Sequence, residues 1–557
     1  MKRETKPDMT RRVERATAAR GDALMIGHLL RTPLATAPRQ QIVFRDEFRY
    51  TYTGLRERIG RLASALRARG VSKGSTVAVL DWDSHRYLEC YFAVPMMGAV
   101  LQTVNIRLSP EQVAYTLDHA RAEVVLVHRD FAPLFESIRA GLPRVRVVVP
   151  IGAAAGDGAA HEVSQRCGYE TMLAQASPDF PFEDFDEQAV ATTFYTTGTT
   201  GLPKAVSFTH RQIVIHTLAV LSALASAEIG QSLRHGDVYM PLTPMFHVHA
   251  WGVPYVATLL GLKQVYPGRY EPPMLLQLRA REGVTYSHCV PTILQMLLDA
   301  AAASGTDLAG WKINIGGSAL NAALAKRAVS RGIDVFAAYG MSETCPYLTA
   351  TRITPAIHAL GGDAEIEMRC RTGLPAPLVD LRIVDEAMHE VPHDGVAVGE
   401  IVVRAPWLTL GYAGDPAASE ALWRGGWLHT GDIATQDSDG YVQIRDRLKD
   451  VVKTGGEWIS SLQLEDLIAR QPGVGEVAVI GLPDERWGER PVALVVRRPD
   501  ADGEALTATA IRERLAPYVA SGEIVRYAVP ERIEFVASLA RTSVGKIDKK
   551  AMRAERQ

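Results

Sequence analysis

The sequence YTTGTTGLPK at residues 195–204 decides how the rest of the chain is interpreted. Gly198 and Gly201 let the backbone approach a bulky anion, while neighbouring threonine hydroxyls and the Lys204 ammonium supply donors and positive charge. The strand-forming segment AVATTFYTT at 189–197 leads into this stretch, which predicts a loop at a strand end, where open α/β sheets bind ligands. The stretch therefore predicts a phosphate-binding loop.

Two other interpretations of the stretch imply different chemistry. A Walker P-loop requires Gly-Lys-Ser/Thr after its first glycine and four residues, and Pro203 stands where that second glycine should be. A threonine-rich linker that carries one lysine is what the composition alone favours. The full string, however, resembles the phosphate loop of the adenylate-forming superfamily, which contains acyl-CoA synthetases, adenylation domains and luciferases. That resemblance predicts that the family's other motifs follow in order.

The bulk composition is that of a soluble enzyme. A chain of 557 residues is expected to form two or more domains. A formal net charge of -2 gives no reason to expect nucleic acid as a partner. Five scattered cysteines without CxxC spacing predict reduced thiols. Without a run of eighteen apolar residues or a signal sequence, we expect no membrane span and a cytoplasmic location.

The early chain alternates helix and strand patterns. Within residues 49–70, Leu55, Ile59 and Leu62 share one helical face, and the sequence STVAVLD at 75–81 follows as a buried strand. Further helix and strand patterns continue to about residue 128. This rhythm predicts an α/β fold with a large N-terminal domain of helix-covered sheets.

The second motif is PLTPMFHVHAWGVPY at 241–255. Without other information, His247 and Trp251 would both be interpreted as packed core residues. In the family that the chain resembles, this segment lies along the acid-binding cavity. The resemblance implies that His247 lies near the reacting carboxylate and that Trp251 gates an acyl tunnel, with Gly316 and Gly340 also lining the acyl site.

Two further strings, INIGGSAL at 313–320 and VFAAYGMSET at 335–344, resemble the family's loops around adenine and the phosphates. A carboxylate is a hard oxygen ligand that suits Mg²⁺, so the resemblance implies that Glu343 and Thr200 hold the metal. The alternative for Glu343 is a solvated surface charge. The implied ATP- or AMP-binding residues are Thr196, Thr197, Gly198, Thr199, Gly201, Lys204, Gly317, Ser318, Ala319, Tyr339, Gly340, Met341, Ser342, Thr344, Asp432 and Arg447.

Asp432 and Arg447 belong to the strings WLHTGDIA and DGYVQIRDRLKD. By resemblance, Asp432 accepts hydrogen bonds from both ribose hydroxyls, a task that suits a two-oxygen acceptor, and Arg447 lies in the same region. Lys449 corresponds to the family's hinge. The resemblance therefore implies an N-terminal adenylation domain at 1–446, a hinge at 447–449 and a small, mobile α+β domain at 450–557.

The predicted C-terminal domain contains two further motifs. Its GGEW string, Gly455, Gly456, Glu457 and Trp458, matches the segment that binds coenzyme A in the family. Lys546 in RTSVGKIDKK matches the lysine that reaches the site during adenylation, where a cation stabilises the charge on carboxylate and phosphate oxygens.

The resemblance predicts an ATP-dependent acid–CoA ligase that releases AMP and pyrophosphate, with Lys546, Thr200, Glu343 and His247 as catalytic residues. Its partners would be ATP, coenzyme A, Mg²⁺ and a carboxylic acid, and the oligomeric state, including a homodimer, is left open. Aliphatic cavity segments without Lys or Arg favour a medium- or long-chain fatty acid. A short thioether acid, an aryl acid and a stand-alone adenylation enzyme that loads a carrier protein are the alternatives.

Overall fold

The computed structural model describes residues 16, 22–152, 168–196, 202–228, 230–454, 457–541 and 547–556. The strands are β1 Gln41–Phe44, β2 Phe48–Thr51, β3 Thr76–Leu80, β4 Val100–Thr103, β5 Ala122–His128, β6 Val147–Ile151, β7 Val190–Thr196, β8 Lys204–Thr209, β9 Val238–Leu242, β10 Lys263–Tyr266, β11 Tyr286–Cys289, β12 Lys312–Ile315, β13 Asp334–Gly340, β14 Tyr347–Ala350, β15 Leu374–Pro375, β16 Asp380–Val384, β17 Gly399–Arg404, β18 Leu428–Gln436, β19 Val442–Arg447, β20 Val452–Thr454, β21 Glu457–Ile459, β22 Val474–Asp484, β23 Gly488–Arg497 and β24 Arg532–Phe535.

The right-handed helices are α1 Arg31–Thr36, α2 Tyr52–Ala68, α3 His85–Met96, α4 Pro110–His119, α5 Ala132–Ile138, α6 Tyr169–Ala174, α7 His210–Ala225, α8 Val253–Leu259, α9 Pro272–Glu282, α10 Pro291–Ser304, α11 Ala322–Ser330, α12 Pro355–Leu360, α13 Gly362–Cys370, α14 Pro416–Leu422, α15 Ser461–Ala469, α16 Ala501–Ala505, α17 Ala508–Ala520 and α18 Lys549–Ala554. Short 3-10 turns join several of them.

The first sheet has six strands in the order β6-β5-β3-β4-β7-β8. Its pairs are parallel except for β7 with β8, which are antiparallel and bring Thr196 opposite Lys204. The phosphate-loop sequence therefore connects two neighbouring strands. Helix α2 buries Leu55, Ile59 and Leu62 as predicted, because apolar residues three and four positions apart share one face.

The second sheet has nine strands in the order β15-β14-β13-β12-β11-β9-β10-β1-β2. Its centre, from β1 to β13, is parallel, so the carboxyl ends of β9, β11, β12 and β13 meet at one edge. The predicted site segments follow directly after these strands: His247 after β9, Gly316 after β12 and Glu343 after β13. The topology therefore gathers distant motifs at one edge of the sheet.

The two remaining sheets are built differently. Strands β16 to β19 form an antiparallel sheet, which the alternating pattern of the early chain did not predict, and it carries Asp432 on β18 opposite Arg447 on β19. The C-terminal part contains a sheet in the order β21-β20-β23-β22, with β24 parallel to β23, covered by helices α15 and α17. The predicted class, a large N-terminal domain of sheets and helices with a smaller α+β domain, is confirmed.

Two sequence expectations concern the chain as a whole. Within the described residues, no helix combines the length and apolar character that crossing a bilayer requires. The cysteines at positions 90, 289, 345 and 370 carry free thiols, and the first three are buried.

Candidate active site

The phosphate-loop sequence is flanked by the ends of β7 and β8. Residues 197–201, which include Thr197, Gly198, Thr199, Thr200 and Gly201, lie outside the described residues. Lys204 Nζ is 3.8 Å from Asp415 Oδ2 and 4.7 Å from the centre of the Tyr412 ring. This ammonium remains 39% exposed, so it is accessible to an anionic ligand.

Glu343 lies in a 3-10 turn, Ser342–Thr344, immediately after β13. It is 7% exposed, so it is not the solvated surface charge that the alternative interpretation supposed. The Tyr412 hydroxyl donates to Glu343 Oε1 at 2.7 Å, and burial together with this carboxylate raises the pKa of Tyr412. Tyr412 thus connects Glu343, in the string at 335–344, with Lys204, at the end of the phosphate-loop sequence.

The residues around Glu343 decide whether this part of the site could hold Mg²⁺. Among the described residues, no group of three or more His, Cys, Asp or Glu side chains could hold a metal ion. Mg²⁺ commonly binds through one or two carboxylates together with substrate phosphates and water, so a single buried carboxylate beside a phosphate loop still fits. The residues present are therefore compatible with Mg²⁺ that arrives with a nucleotide.

A second polar group joins Tyr339, Asp432 and Arg447. The Tyr339 hydroxyl donates to Asp432 Oδ2 at 2.6 Å, and Arg447 Nε lies 3.2 Å from Asp432 Oδ1. Asp432 is 5% exposed, and its negative charge raises the pKa of Arg447. Burial and the same carboxylate raise the pKa of Tyr339, which keeps the phenol neutral and able to donate. The structure therefore brings together three residues that the sequence predicted from separate motifs.

The glycines of the loops after β12 and β13 have different structural roles. Gly317 has φ of +77°, which favours glycine, and leaves Ser318 and Ala319 exposed at the sheet edge. A Cβ on Gly340 would lie 1.6 Å from the Pro346 carbonyl oxygen, so glycine is required there by backbone packing.

The turn after Gly340 is fixed by its own hydrogen bonds. The Met341 backbone N–H donates to Thr344 Oγ1 at 3.1 Å, and Thr344 is completely buried. Met341 and Ser342 are half-buried and face the same edge of the sheet. Thr344 therefore holds the loop in shape, whereas Met341 and Ser342 remain accessible to a ligand.

The two histidines of HVHAW have different environments. His249 is fully buried, and its Nε2 lies 2.9 Å from Thr192 Oγ1. Burial lowers the pKa of His249 to about 3, so the ring is neutral near pH 7. His247 is only half-buried, at the carboxyl end of β9. The core role that composition suggests for a histidine in this string thus belongs to His249, whereas His247 remains partly accessible after β9.

The backbone between the histidines and Trp251 has an unusual shape. Residues Val248–Trp251 form a left-handed helical turn, with φ between 47° and 60°, and Gly252 continues it at 75°. Left-handed helix costs about 1–2 kcal/mol for each residue that carries a Cβ. Such strain persists where the surrounding structure enforces it, most often at functional sites.

Trp251 packs onto the nine-stranded sheet. A Cβ on Gly316 would lie 3.0 Å from Trp251 Cη2, and the centroids of the Trp251 and His288 rings are 5.0 Å apart. Gly316 therefore permits the close approach of the indole. Trp251 belongs to a buried hydrophobic cluster, and we call the following members of it the Trp251 cluster: Val220, Leu224, Val256, Tyr286, Phe336 and Tyr347.

The sequence and its geometry were compared with known proteins. The family model for the AMP-binding enzyme matches residues 30–413, and that for the AMP-binding enzyme C-terminal domain matches residues 463–546. The chain belongs to the AMP-binding enzyme family. The predicted resemblance to adenylate-forming enzymes is thereby confirmed.

Two curated relatives of this AMP-binding enzyme are named as acid–CoA ligases. The long-chain-fatty-acid–CoA ligase of Thermus thermophilus is 40% identical over 541 residues, which covers 96% of each chain. The 3-methylmercaptopropionyl-CoA ligase of Ruegeria pomeroyi is 37% identical over 507 residues, 90% of this chain and 91% of the relative. The predicted enzyme class, an AMP-forming acyl-CoA synthetase, is confirmed by such relatives.

A solved structure supports the fold. The crystal structure of an anthranilate–CoA ligase in complex with anthranoyl-AMP superimposes with a TM-score of 0.83 and covers 96% of this chain and 97% of that one. At 24% sequence identity, this likeness shows the fold alone.

The structure describes only some of the residues that were assigned to the hinge and the C-terminal domain of the AMP-binding enzyme. Lys449 is exposed just after β19, and the next residue, Asp450, forms a 2.5 Å ion pair with Arg553 on α18. Gly455, Gly456 and Lys546 lie outside the described residues, as do the side chains of Glu457 and Trp458 on β21. The hinge, coenzyme A and lysine assignments therefore stay predictions.

Sequence reasoning missed one residue of the site, Tyr412. It lies in the loop before α14, beyond any of the motifs used above. Its signal was faint: the string TLGYAGD combines a tyrosine with a turn, and nothing local pairs it with Glu343, 69 residues earlier.

Proposed function

We propose that this AMP-binding enzyme converts a medium- or long-chain fatty acid into its acyl-CoA through an acyl-adenylate. In the first step the carboxylate attacks the α-phosphorus of ATP and pyrophosphate leaves. In the second, the coenzyme A thiol attacks the acyl carbon and AMP leaves. ATP-dependent acyl-CoA ligation follows from the family and relatives, and the proposal concerns the acid and the roles of individual residues.

The observation that carries the choice of acid is the Trp251 cluster. The indole lies across Gly316 at the sheet edge, over side chains that include Leu224, Val256 and Phe336. The cation beside the cluster, Lys312, lies 5.9 Å from the centre of the Tyr286 ring and is already paired with Asp237, so it is not free to pair with a second carboxylate. An apolar chain that displaced the indole would continue into apolar surroundings, which supports a monoacid with a hydrocarbon tail.

At the other end of the site, we assign ATP to the polar groups around Glu343 and Asp432. Lys204 and the phosphate loop would bind the phosphates, and Glu343 with Thr200 would hold Mg²⁺, which neutralises phosphate charge when bound. The carboxylate of Asp432, already aligned by Tyr339, would accept hydrogen bonds from the ribose hydroxyls.

The acid's carboxylate would lie between these two ends. His247 is half-buried after β9, and Gly316 and Gly340 end neighbouring parts of the sheet edge. We propose that His247 positions the carboxylate for attack and that Lys546 supplies the cation that stabilises charge during adenylation. Losing such a cation is expected to slow adenylation roughly 10²–10³-fold.

The second half-reaction requires a different set of residues. We propose that the domain at 450–557 rotates about residues 447–449, with Lys449 absorbing the backbone change, and that this withdraws Lys546. The segment 455–458 would then line the path of pantetheine. The exposed position of Lys449 between β19 and the Asp450–Arg553 ion pair is compatible with a pivot.

The alternative acid is a short thioether acid. The Ruegeria pomeroyi relative, whose name specifies 3-methylmercaptopropionate, is nearly as similar in sequence as the fatty-acid ligase. In that case Trp251 would be the end wall of a short pocket, because the indole closes the space beside Gly316.

Pyrophosphate release separates these functions. The purified enzyme is given Mg·ATP and unbranched acids from C2 to C18, benzoate or 3-methylthiopropionate, each with and without coenzyme A. The proposal expects coenzyme A-dependent turnover that is greatest for medium or long chains. A maximum with the thioether or aryl acid would reassign Trp251 as a wall. Release that does not depend on coenzyme A would favour a carrier-loading enzyme, and no release would refute the proposal.

A further inference from the structure

Three polar side chains lie on the sheet face beneath Trp251. Tyr286 on β11, Asn314 on β12 and Tyr347 on β14 are 0%, 1% and 4% exposed. Tyr286 and Tyr347 belong to the same hydrophobic cluster as Trp251. We call these three residues the polar trio, because they bring oxygen and nitrogen atoms into otherwise apolar surroundings.

The oxygens of the polar trio have no partner outside the trio. Tyr286 Oη, Asn314 Oδ1 and Tyr347 Oη are buried, and among the described residues only the Asn314 side chain acts on the two phenols as a hydrogen-bond neighbour. The Asn314 side chain is near both phenols, since it moderates the rise in pKa that burial causes at each. Three oxygens that converge in a buried place without a partner outside the trio are costly unless something occupies the space between them.

Neighbouring polar residues of this face have partners within the fold. Tyr239 on β9 donates its hydroxyl hydrogen bond to His288 Nε2 at 2.7 Å, and His288 Nδ1 lies 3.2 Å from Thr243 Oγ1. Lys312 forms a 2.7 Å ion pair with Asp237. The polar trio therefore stands out as the unsatisfied part of an otherwise satisfied, charge-balanced face.

The strand register relates the trio to the reacting centre. Asn314 precedes Gly316 by two residues, so both lie on the same face of the sheet, about 7 Å apart along the chain. Gly316 is the glycine against which Trp251 packs. A chain that entered beside Gly316 and displaced the indole would meet the polar trio a few carbon atoms beyond its carboxylate.

We propose that the polar trio recognises a hydroxyl group on the tail of the acid, so that the preferred substrate is a hydroxylated medium-chain fatty acid. This inference rests on the proposed function, because it requires an acyl chain in that place. A hydroxyl can accept a hydrogen bond from a phenol and donate one to Asn314 Oδ1 at the same time. A second carboxylate fits less well beside Lys312, because that cation is already paired with Asp237. The other cation that acts on the trio, Arg352, donates a hydrogen bond to Ser226 Oγ.

The competing occupant is a buried water molecule, which often satisfies groups of this kind. The two differ in what they predict for selectivity. A water that stays in place gives no advantage to a hydroxylated acid, whereas recognition by the trio gives one positional isomer an advantage over the unsubstituted acid.

The test compares octanoate with its positional isomers hydroxylated at C3 to C8, in coenzyme A-dependent pyrophosphate release by the full-length enzyme. We expect kcat/KM for at least one isomer to exceed that for octanoate by roughly three- to tenfold, the worth of one or two neutral hydrogen bonds. If octanoate is turned over and no isomer exceeds it, this inference is overturned and the proposed function stands. If no member of the series is turned over but a longer unbranched acid is, this inference is likewise overturned; if no acid from C2 to C18 is turned over, the proposed function itself fails.

Conservative variants locate the selectivity. Tyr286→Phe and Tyr347→Phe should each bring the ratio of hydroxyoctanoate to octanoate kcat/KM close to unity. The melting temperature should change little, because neither hydroxyl has a protein partner closer than the Asn314 side chain. The matched control is Tyr239→Phe, which removes a buried hydroxyl that is bonded to His288. This control should lower the melting temperature and keep the ratio. If the ratio of hydroxyoctanoate to octanoate kcat/KM stays at the wild-type value in both Tyr286→Phe and Tyr347→Phe, the inference is overturned.

Discussion

The two ends of the proposed site are constructed on opposite principles. At the ATP end, Tyr339 and Arg447 already hold Asp432, and Tyr412 already holds Glu343. At the acyl end, the cluster that contains the Trp251 indole includes polar atoms that have no partner outside the polar trio. One end is arranged before a ligand binds, and the other leaves its groups for the ligand to satisfy.

The difference teaches how one family can keep a reaction and change its substrate. Charge that develops during phosphoryl chemistry is stabilised best by groups fixed in advance, because they need no reorganisation. A hydrocarbon tail is recognised mainly by the space that it fills, so its pocket can be reshaped by single side chains. Substitutions at the ATP end should therefore lower all activity, and substitutions at the acyl end should redistribute it.

The largest effect is expected for Asp432→Ala. The substitution removes two oxygens and leaves Tyr339 and Arg447 without their shared acceptor, so kcat/KM for ATP should fall roughly 100-fold with every acid. Steady-state kinetics with saturating acid measures this. For Asp432→Asn, which keeps one acceptor oxygen, kcat/KM for ATP should lie between the values for Asp432→Ala and the wild type. A fall in kcat/KM that occurred with some acids and not with others would contradict the separation of the ATP end from the acyl end.

A smaller, selective effect is expected for Trp251→Ala. Removing the indole from Gly316 should raise the ratio of kcat/KM for long over short acids by about tenfold, since each additional methylene that fits a pocket contributes appreciably. KM for ATP should remain near the wild-type value. Trp251→Phe, which retains an aromatic ring, is the control. If KM for ATP changed together with the ratio of kcat/KM for long over short acids, the two ends of the site would be coupled.

Acid should destabilise the acyl end through its histidines. Burial lowers the pKa of His216, His249 and His288 to about 3. In the unfolded chain a histidine has a pKa of about 6.5, so below that pH the unfolded state binds more protons and is favoured. The free energy of unfolding should therefore fall as pH drops from 6.5 towards 3, by up to about 1.4 kcal/mol per pH unit for each histidine.

Urea unfolding at a series of pH values measures this slope. In His249→Phe the slope between pH 6 and 4 should be shallower than in the wild type, while above pH 7 the two slopes should agree. Equal slopes at acid pH would mean that His249 does not remain neutral when the protein is folded.

The smallest effect is expected for Tyr412→Phe. The hydroxyl that orients Glu343 is lost while the ring beside Lys204 is kept, so KM for Mg·ATP should rise about three- to tenfold. Titration with ATP at several Mg²⁺ concentrations measures the change. Tyr412→Ala, which also removes the ring, should raise KM further. If both variants behaved alike, the hydroxyl would have no separate role.

Much of the fold could be predicted because it is encoded locally. The apolar face of α2 and the continuous apolar run of β3 follow directly from residue spacing. The site strings at Gly316 and Glu343 were predicted by resemblance to form ligand loops, and the structure has both directly after strands. Asp432 and Arg447 were assigned to one region, and the pairing of β18 with β19 brings them together.

The remainder depends on contacts between distant residues. Nothing in the sequence near Tyr412 indicates Glu343, and the polar trio comes from three strands whose order in the sheet is not visible in any one segment. The pair His247 and His249 could not be separated by composition, because the left-handed turn between them sets which ring faces the core. Such backbone is rare outside glycine, so no propensity predicts it.

That left-handed turn stores conformational strain directly beside the Trp251 indole. Four residues with Cβ atoms, Val248–Trp251, together store about 4–8 kcal/mol of backbone strain, and Gly252, hemmed in by His216, ends the turn. Each of the four that returned to a right-handed conformation would release about 1–2 kcal/mol. If an acyl chain displaces the Trp251 indole, as proposed, relaxation of the turn at the same time would offset part of the cost of breaking the indole's contacts.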